Sequence, residues 1–243
     1  PYSDDPDETG DIFHTLDSIV ALLKEAYDAG IEASVHAIGD AAMELLISAA
    51  EIVYPKIDEP DPAKRLKAAG LRRLRIIHAS VISPGHVERM QKLPIMLDMQ
   101  PVFINSDGGF AGDRLGPERV KRYTALKTLT DAGIIIAGGS DAPVDAAMPF
   151  VGIECAVTRR KIGGTEADAI APEEALSIYD AVSLYTRNAA YCSSEEDVKG
   201  TISTGKYADF ILLDRDVFES EPDEIHNIRV LKTVVGGRTT WEE

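Results

Sequence analysis

The sequence is poor in cysteine, poor in basic residues relative to acidic ones, and free of long apolar runs. Two cysteines in 243 residues, Cys155 and Cys192, cannot make a disulfide framework. They read as reduced residues packed in helices, and the expected compartment is the cytoplasm. Lys and Arg number 25 against 41 Asp and Glu, a formal charge of −16. Such a surface is badly suited to neutralising phosphates, which argues against nucleic acid and anionic membrane as partners, while the charge favours solubility. No apolar run approaches the roughly 18 residues that a membrane span needs. The N-terminus, Pro1 to Glu8, is polar and acidic and does not read as a secretory signal. It lacks an initiating Met, so a trimmed chain or a fragment is expected. A Gly-rich phosphate loop is also missing. The Gly138-Gly139 pair has no Lys at P-loop spacing and reads as a tight turn, so nucleotide binding has no motif to rest on.

What is present is the composition of a globular protein, 44% apolar and 27% charged. Ile19, Val20, Leu22, Leu23, Ala26 and Tyr27 recur at helical spacing and predict a helix over 15–29, stopped by Gly30. A strand from Ile31 to His36 follows, then a turn in which Asp40 can cap a helix from Ala41 to Val53. The proline-rich stretch 54–62 reads as a surface connection, and a short helix is expected over 63–69, ending at Gly70. A second strand over 73–78 leads to His78, and Ser83-Pro84 opens a helix over 84–92. A third strand spans Ile95 to Met99. Residues 103–116 carry four glycines without apolar periodicity and read as a long functional loop. A helix is expected from Pro117 to Ala132, a fourth strand over 134–138, and helices over 149–160 and from Pro172 to Tyr191. The last fifty residues, with the turn Gly236-Gly237, read as a small β structure.

Three of the four strands end in a metal-binding or acid–base residue: His36, His78 and, after Gly139-Ser140, Asp141. In a TIM-type barrel that end of a strand carries the catalytic groups. Two imidazoles and a carboxylate at separate strand ends are a plausible metal site, with hydrogen-bonded structural residues as the alternative for each. Gln100, Arg114 and Arg119 are candidates for substrate contact; salt bridging is the alternative for both arginines. His86 reads as solvated in the first turn of a surface helix, and neither His14 nor His226 takes a role. The count of strand-then-helix units is four, where a closed (βα)8 barrel needs eight. The expected fold is therefore α/β, the C-terminal half of a TIM-type barrel over 1–195, with a small β segment over 196–243.

The ordered segments Val35-His36-Ala37-Ile38-Gly39-Asp40, Ile77-His78-Ala79, Met99-Gln100-Pro101, Gly139-Ser140-Asp141-Ala142-Pro143-Val144 and Lys199-Gly200 through Phe210 carry a resemblance. Together they resemble the amidohydrolase superfamily, specifically the amidohydrolase-3 or YtcJ-like metal-dependent hydrolases, over almost the whole chain. The resemblance implies that His36 ends barrel strand 5, His78 strand 6 and Asp141 strand 8, and that all three serve a metal centre. It implies that 196–243 belong to a composite β-sandwich. The family's other ligands are a His-x-His pair on strand 1 and a carboxylated Lys or a Glu on strand 4. No His-x-His occurs here, and strand 4 would precede Pro1.

The implied activity is metal-dependent hydrolysis of non-peptide, amide-type carbon–nitrogen bonds in a small molecule. The ion would be divalent, zinc by its donors, with one or two in a full-length protein and none expected in this chain alone. Asp141 would act as general base and return the proton to the leaving nitrogen. The competing reading is a non-catalytic fragment or regulatory protein that keeps the half-barrel. Unpaired edges on the outer strands lead to the expectation of a homo-oligomer.

Overall fold

The computed structural model describes residues 1–243. The chain divides into two compact units, Pro1–Met99 with Gly109–Ile136, and Gln100–Gly108 with Ala137–Glu243. No helix is long and apolar enough to cross a membrane.

The first unit is built on strands β1 (Ala33–Ala37), β2 (Leu74–His78) and β3 (Ile95–Met99). β1 pairs with β2 and β2 with β3, both parallel. β4 (Ile136–Gly138) continues the order β1-β2-β3-β4, and the Leu97 N–H donates to Ile135 O at 2.9 Å. Parallel neighbours need crossover connections, and helices supply them. α1 (Leu16–Ala29) packs on α2 (Asp40–Val53), followed by α3 (Pro62–Ala69) and α4 (Pro84–Met90). Leu74, Ile76 and Leu97 on the sheet and Leu23, Met43 and Ile47 on the helices are wholly or almost wholly buried. Each such side chain contributes about 1.5–3 kcal/mol by leaving water.

Local chemistry explains most boundaries. Thr15 caps α1 by accepting from the Ser18 N–H, and Gly30 ends it at φ 70°. Asp61 caps α3 by accepting from the Ala63 and Lys64 N–H groups. Ser83 caps α4, as its place before Pro84 predicts. Asp40 departs from expectation. Gly39 is the capping residue, and Asp40 sits in the first turn, its Oδ1 accepting from the Ala41 N–H. The carboxylate favours the helix N-terminus from there as well.

Three expectations fail, the first because glycines mask a locally bonded helix and the other two for tertiary reasons. Residues 103–116 are helical, not a loop: α5 covers Phe103–Arg119, broken at Gly116 (φ 72°, ψ 172°). Turn bonds from Phe103, Ile104 and Asn105 N–H back to Gln100, Pro101 and Val102 O start the helix although its glycines hide the period. A Cβ at Gly116 would stand 2.5 Å from Ser3 Oγ, so only glycine fits there. The helix expected from Pro117 to Ala132 breaks at Tyr123 and Thr124, leaving α6 as Leu126–Asp131. Thr124 takes φ 49° and donates its N–H to Ser80 O, while Tyr123 bridges to Val81. The stretch from Pro172 to Tyr191 also breaks, into a 3-10 turn (Pro172–Glu174), α8 (Ile178–Leu184) and α9 (Arg187–Cys192). The Leu176 N–H bond to Ala156 O and a fresh cap at Ser177 divide it.

In the second unit, α7 (Pro149–Thr158) precedes α8 and α9, and a three-stranded antiparallel sheet closes the chain. Its strands are β5 (Phe210–Leu213), β6 (Val230–Val235) and β7 (Arg238–Glu242). Gly236 and Gly237, at φ 56° and 76°, form the two-residue turn that the right-handed twist of a hairpin favours. Cys155 and Cys192 are buried free thiols, as expected from helix packing.

Candidate metal centre

His36 and His78 are brought together. The parallel register sets Ala37 opposite His78 and His36 opposite Ile77. Side chains alternate along a strand, so this register alone would send the two imidazoles to opposite faces. Backbone conformation reverses that outcome. His78 has φ 76° and Ala79 φ 49°, both left-handed. The ring of His78 thereby turns to His36, Nε2 to Nδ1 at 2.8 Å, with ring centroids 4.7 Å apart. Two non-glycine residues in that region cost about 1–3 kcal/mol each. The Ala79 N–H bond to Ala37 O and the Val81 N–H bond to Ile38 O hold the turned segment in place. His78 is buried at 5% exposure, while His36 lies open.

The donor chemistry suits a borderline divalent ion in part. Two imidazole nitrogens facing each other are two of the three or more protein ligands that a zinc site takes. At ordinary Zn–N lengths and a tetrahedral angle they would stand ~3.3 Å apart, so the observed pair needs to open by about half an ångström. No group of three or more His, Cys, Asp or Glu side chains converges anywhere in the chain.

Asp141 belongs to the second unit, in the exposed turn after β4, at φ 52°. Its carbonyl accepts from the Val144 N–H and that of Ser140 from the Asp145 N–H, which closes the turn. Within this unit burial pushes the Asp107 carboxyl above its ordinary range, and the charge of Asp145 adds to the rise. Gln100 follows β3 and is buried at 5% exposure. Arg114 pairs with Asp4 at 3.3 Å and lies over the Tyr2 ring. Arg119 donates to Pro1 O at 2.7 Å and to Leu115 O. In the first unit both arginines contact the N-terminal segment, Arg114 through the ion pair with Asp4 and Arg119 through the Pro1 carbonyl.

Other residues depart from the sequence reading or were missed by it. His86 is buried, not solvated. It completes a capping box with Ser83, and its Nε2 meets Glu44 at 3.2 Å. Burial holds its pKa below the ordinary value despite Glu44. Arg89 ties the same face together, reaching Glu44 and Glu51 at 2.8 Å and Ser48 at 2.9 Å. His226, which took no role, donates its backbone N–H to Glu154 Oε2 at 2.8 Å, with its Nδ1 2.7 Å from the same oxygen. That carboxylate is itself buried in α7. Gly138 is explained by close approach and not only by the turn. A Cβ there would stand 2.7 Å from the Tyr185 ring, and one at Gly152 2.0 Å from Tyr185 Oη. The sequence carried no signal for that pairing, because a glycine does not announce which distant ring it admits.

A model of the amidohydrolase family matches residues 2–241, so the chain belongs to that family. It is 37% identical over 243 residues to YtcJ of Bacillus subtilis (strain 168), a protein whose name places it among the amidohydrolases. The match takes in all of this chain and 44% of that protein. It is 27% identical over 232 residues to the N-substituted formamide deformylase of Arthrobacter pascens, covering 95% of this chain and 40% of that protein. Among solved structures, a metal-dependent hydrolase from Pyrococcus horikoshii superposes with a TM-score of 0.74 at 28% identity. That superposition covers 91% of this chain and 42% of the other. The chain thus spans less than half the length of each of these relatives.

Proposed function

We propose that the chain is the C-terminal part of a metal-dependent hydrolase of amide-type carbon–nitrogen bonds, its sheet forming strands 5 to 8 of a TIM-type (βα)8 barrel. The observation that carries this reading is the 2.8 Å approach of His78 Nε2 to His36 Nδ1 at the ends of adjacent parallel strands. Strand ends of that kind hold the catalytic groups of such barrels. Likeness to a formamide deformylase and to a metal-dependent hydrolase supports the reaction class.

In this reading His36 and His78 would hold a divalent ion, zinc by its donors. When bound, it supplies Lewis-acid polarisation of the scissile carbonyl and eases deprotonation of water. Asp141 takes the proton of the attacking water and returns it to the leaving nitrogen. Gln100 orients the substrate. Two imidazoles are fewer than the three protein ligands that a catalytic zinc takes, so hydrolysis by the 243 residues alone is not expected. β1 pairs only with β2, and an open strand edge favours pairing with another chain. Light scattering is expected to give a mass above the 26.3 kDa of one chain.

The test is a Co²⁺ titration of the chain followed by histidine ring signals in NMR. His36 and His78 signals are expected to broaden first, and His36→Ala to abolish the effect at His78. Broadening of His14 or His226 with both candidates unmoved refutes the reading.

A further inference from the structure

The second unit contains a cavity of about 180 Å³ beside the turn that carries Asp141. Val102, Ala147, Met148, Pro149 and the Tyr185 ring line it, together with the backbone of Gly138 to Ser140. No charged side chain reaches it, although 27% of the chain is charged. We infer that this cavity receives one uncharged hydrocarbon group of the substrate, an aryl ring or a branched alkyl chain, next to the bond acted on at Asp141. The inference rests on the role given to Asp141 above.

Size restricts the occupant. Sites for drug-sized ligands run to about 300–1,000 Å³, whereas an apolar cavity of about 150 Å³ takes a single benzene. A peptide segment does not fit; one ring does. Chemistry restricts it further. The only polar side-chain groups in the lining are the Ser140 hydroxyl and the Tyr185 phenol, so a charged group seated there would find no charged partner.

The wall is built for this. Gly138 and Gly152 both lack the Cβ that would collide with Tyr185, so the aromatic ring lies against the end of β4. An aromatic face favours an aryl partner beyond simple area burial. Met148, also in the lining, stands 54% exposed, and Val144, in the turn that carries Asp141, 69% exposed. A methionine is an adaptable cover for groups of differing shape, and exposed apolar side chains beside Asp141 are what a substrate would bury. Ser140 lines the cavity and Asp141 is the next residue, so a group seated here would belong to the part of the substrate adjoining the scissile bond.

The experiment uses the 243-residue chain, metal-free, labelled with ¹³C at the methionine methyls. Benzamide is the probe and acetamide, the same amide without the ring, the control. Met148→Leu identifies the Met148 signal. Benzamide is expected to shift that signal saturably, acetamide to leave it unmoved, and Met43 and Met90, buried in the first unit, to stay put. Ala147→Phe fills the cavity and is expected to weaken the response about tenfold or more. Burial of the Cys155 thiol in the second unit, read as its protection from Ellman's reagent, reports whether that variant folds; if it does not, Ala147→Leu replaces it. No saturable shift, an equal shift with acetamide, or undiminished binding in a folded Ala147→Phe variant overturns the inference. So does a Met148 shift that follows protein concentration and not benzamide, which assigns the cavity to a second copy. Because no metal enters, failure here leaves the Co²⁺ result at His36 and His78 standing, and the reverse holds.

Discussion

Replacing Gly200 by Ala is expected to destabilise the second unit far more than the same change at Gly205, five residues on. Both glycines are left-handed, at φ 89° and 91°. An alanine forced into that region costs about 1–2 kcal/mol. There the likeness ends. A Cβ at Gly205 meets nothing within 4 Å, whereas one at Gly200 would stand 2.7 Å from Ala190 Cβ and 3.0 Å from Arg187 Cα. Neither neighbour is the tip of a flexible side chain; α9 would have to move. Overpacking of that kind adds about 1–3 kcal/mol. Gly200→Ala therefore costs about 2–5 kcal/mol and Gly205→Ala about 1–2. In a chain of this length each kcal/mol moves Tm by about 2–4 °C. Scanning calorimetry should show Gly200→Ala melting about 10 °C below the parent and Gly205→Ala about 4 °C below it. Equal losses, or a larger loss at Gly205, would show that contact with α9 does not decide the choice of glycine at 200.

The thiol of Cys155 is pushed up to about 12 by burial, with the Glu154 charge adding to it. At pH 8 only on the order of one in ten thousand such thiols is ionised. Ellman's reagent should leave Cys155 untouched in the folded chain and label it on unfolding; prompt labelling under native conditions contradicts its burial. His86 has its folded pKa lowered below 6.5, first by burial. On acidification the unfolded chain therefore binds that proton first. The neutral ring contributes stability above about pH 6.5 that declines as pH falls from there through the lowered folded value. An NMR titration of the His86 ring with its midpoint above 6.5 would be incompatible with this. Hydrogen bonds from Arg89 hold the Glu44 and Glu51 carboxyls below their ordinary value of 4.5. Their contribution is complete above that pH and is lost as pH falls through the lowered folded values. Arg89→Ala should flatten the acid limb of a stability-against-pH curve, and an unchanged limb would exclude the network as its source.

The periodic elements were legible from residues alone. Apolar spacing and Gly30 located α1, Ser83-Pro84 opened α4, and apolar runs placed all four strands to within two or three residues. The chemistry-bearing residues at the strand ends were legible too, because a His or Asp directly after a buried strand breaks the apolar pattern. Where reading failed, either glycines masked a locally bonded helix or the cause was a partner remote in sequence. The glycines of α5 hid a helix that turn bonds to 100–102 begin. Thr124 left its helix for the Ser80 carbonyl. His86 looked solvated because its hydrogen-bond partner Glu44 lies 42 residues away.

By itself, the sequence determined the α/β order of elements, the family and the identity of the strand-end residues. Those properties live in composition, local periodicity and ordered motifs, each readable over a short window. Tertiary structure alone decided that His36 and His78 face each other. Their register opposes it, and a left-handed turn at His78 and Ala79, held by bonds to Ala37 and Ile38, brings it about. It alone decided also that Tyr185 settles on Gly138 and Gly152 to wall a cavity. Positive φ values and close approaches are properties of two chain segments meeting, and no window along one of them contains the other.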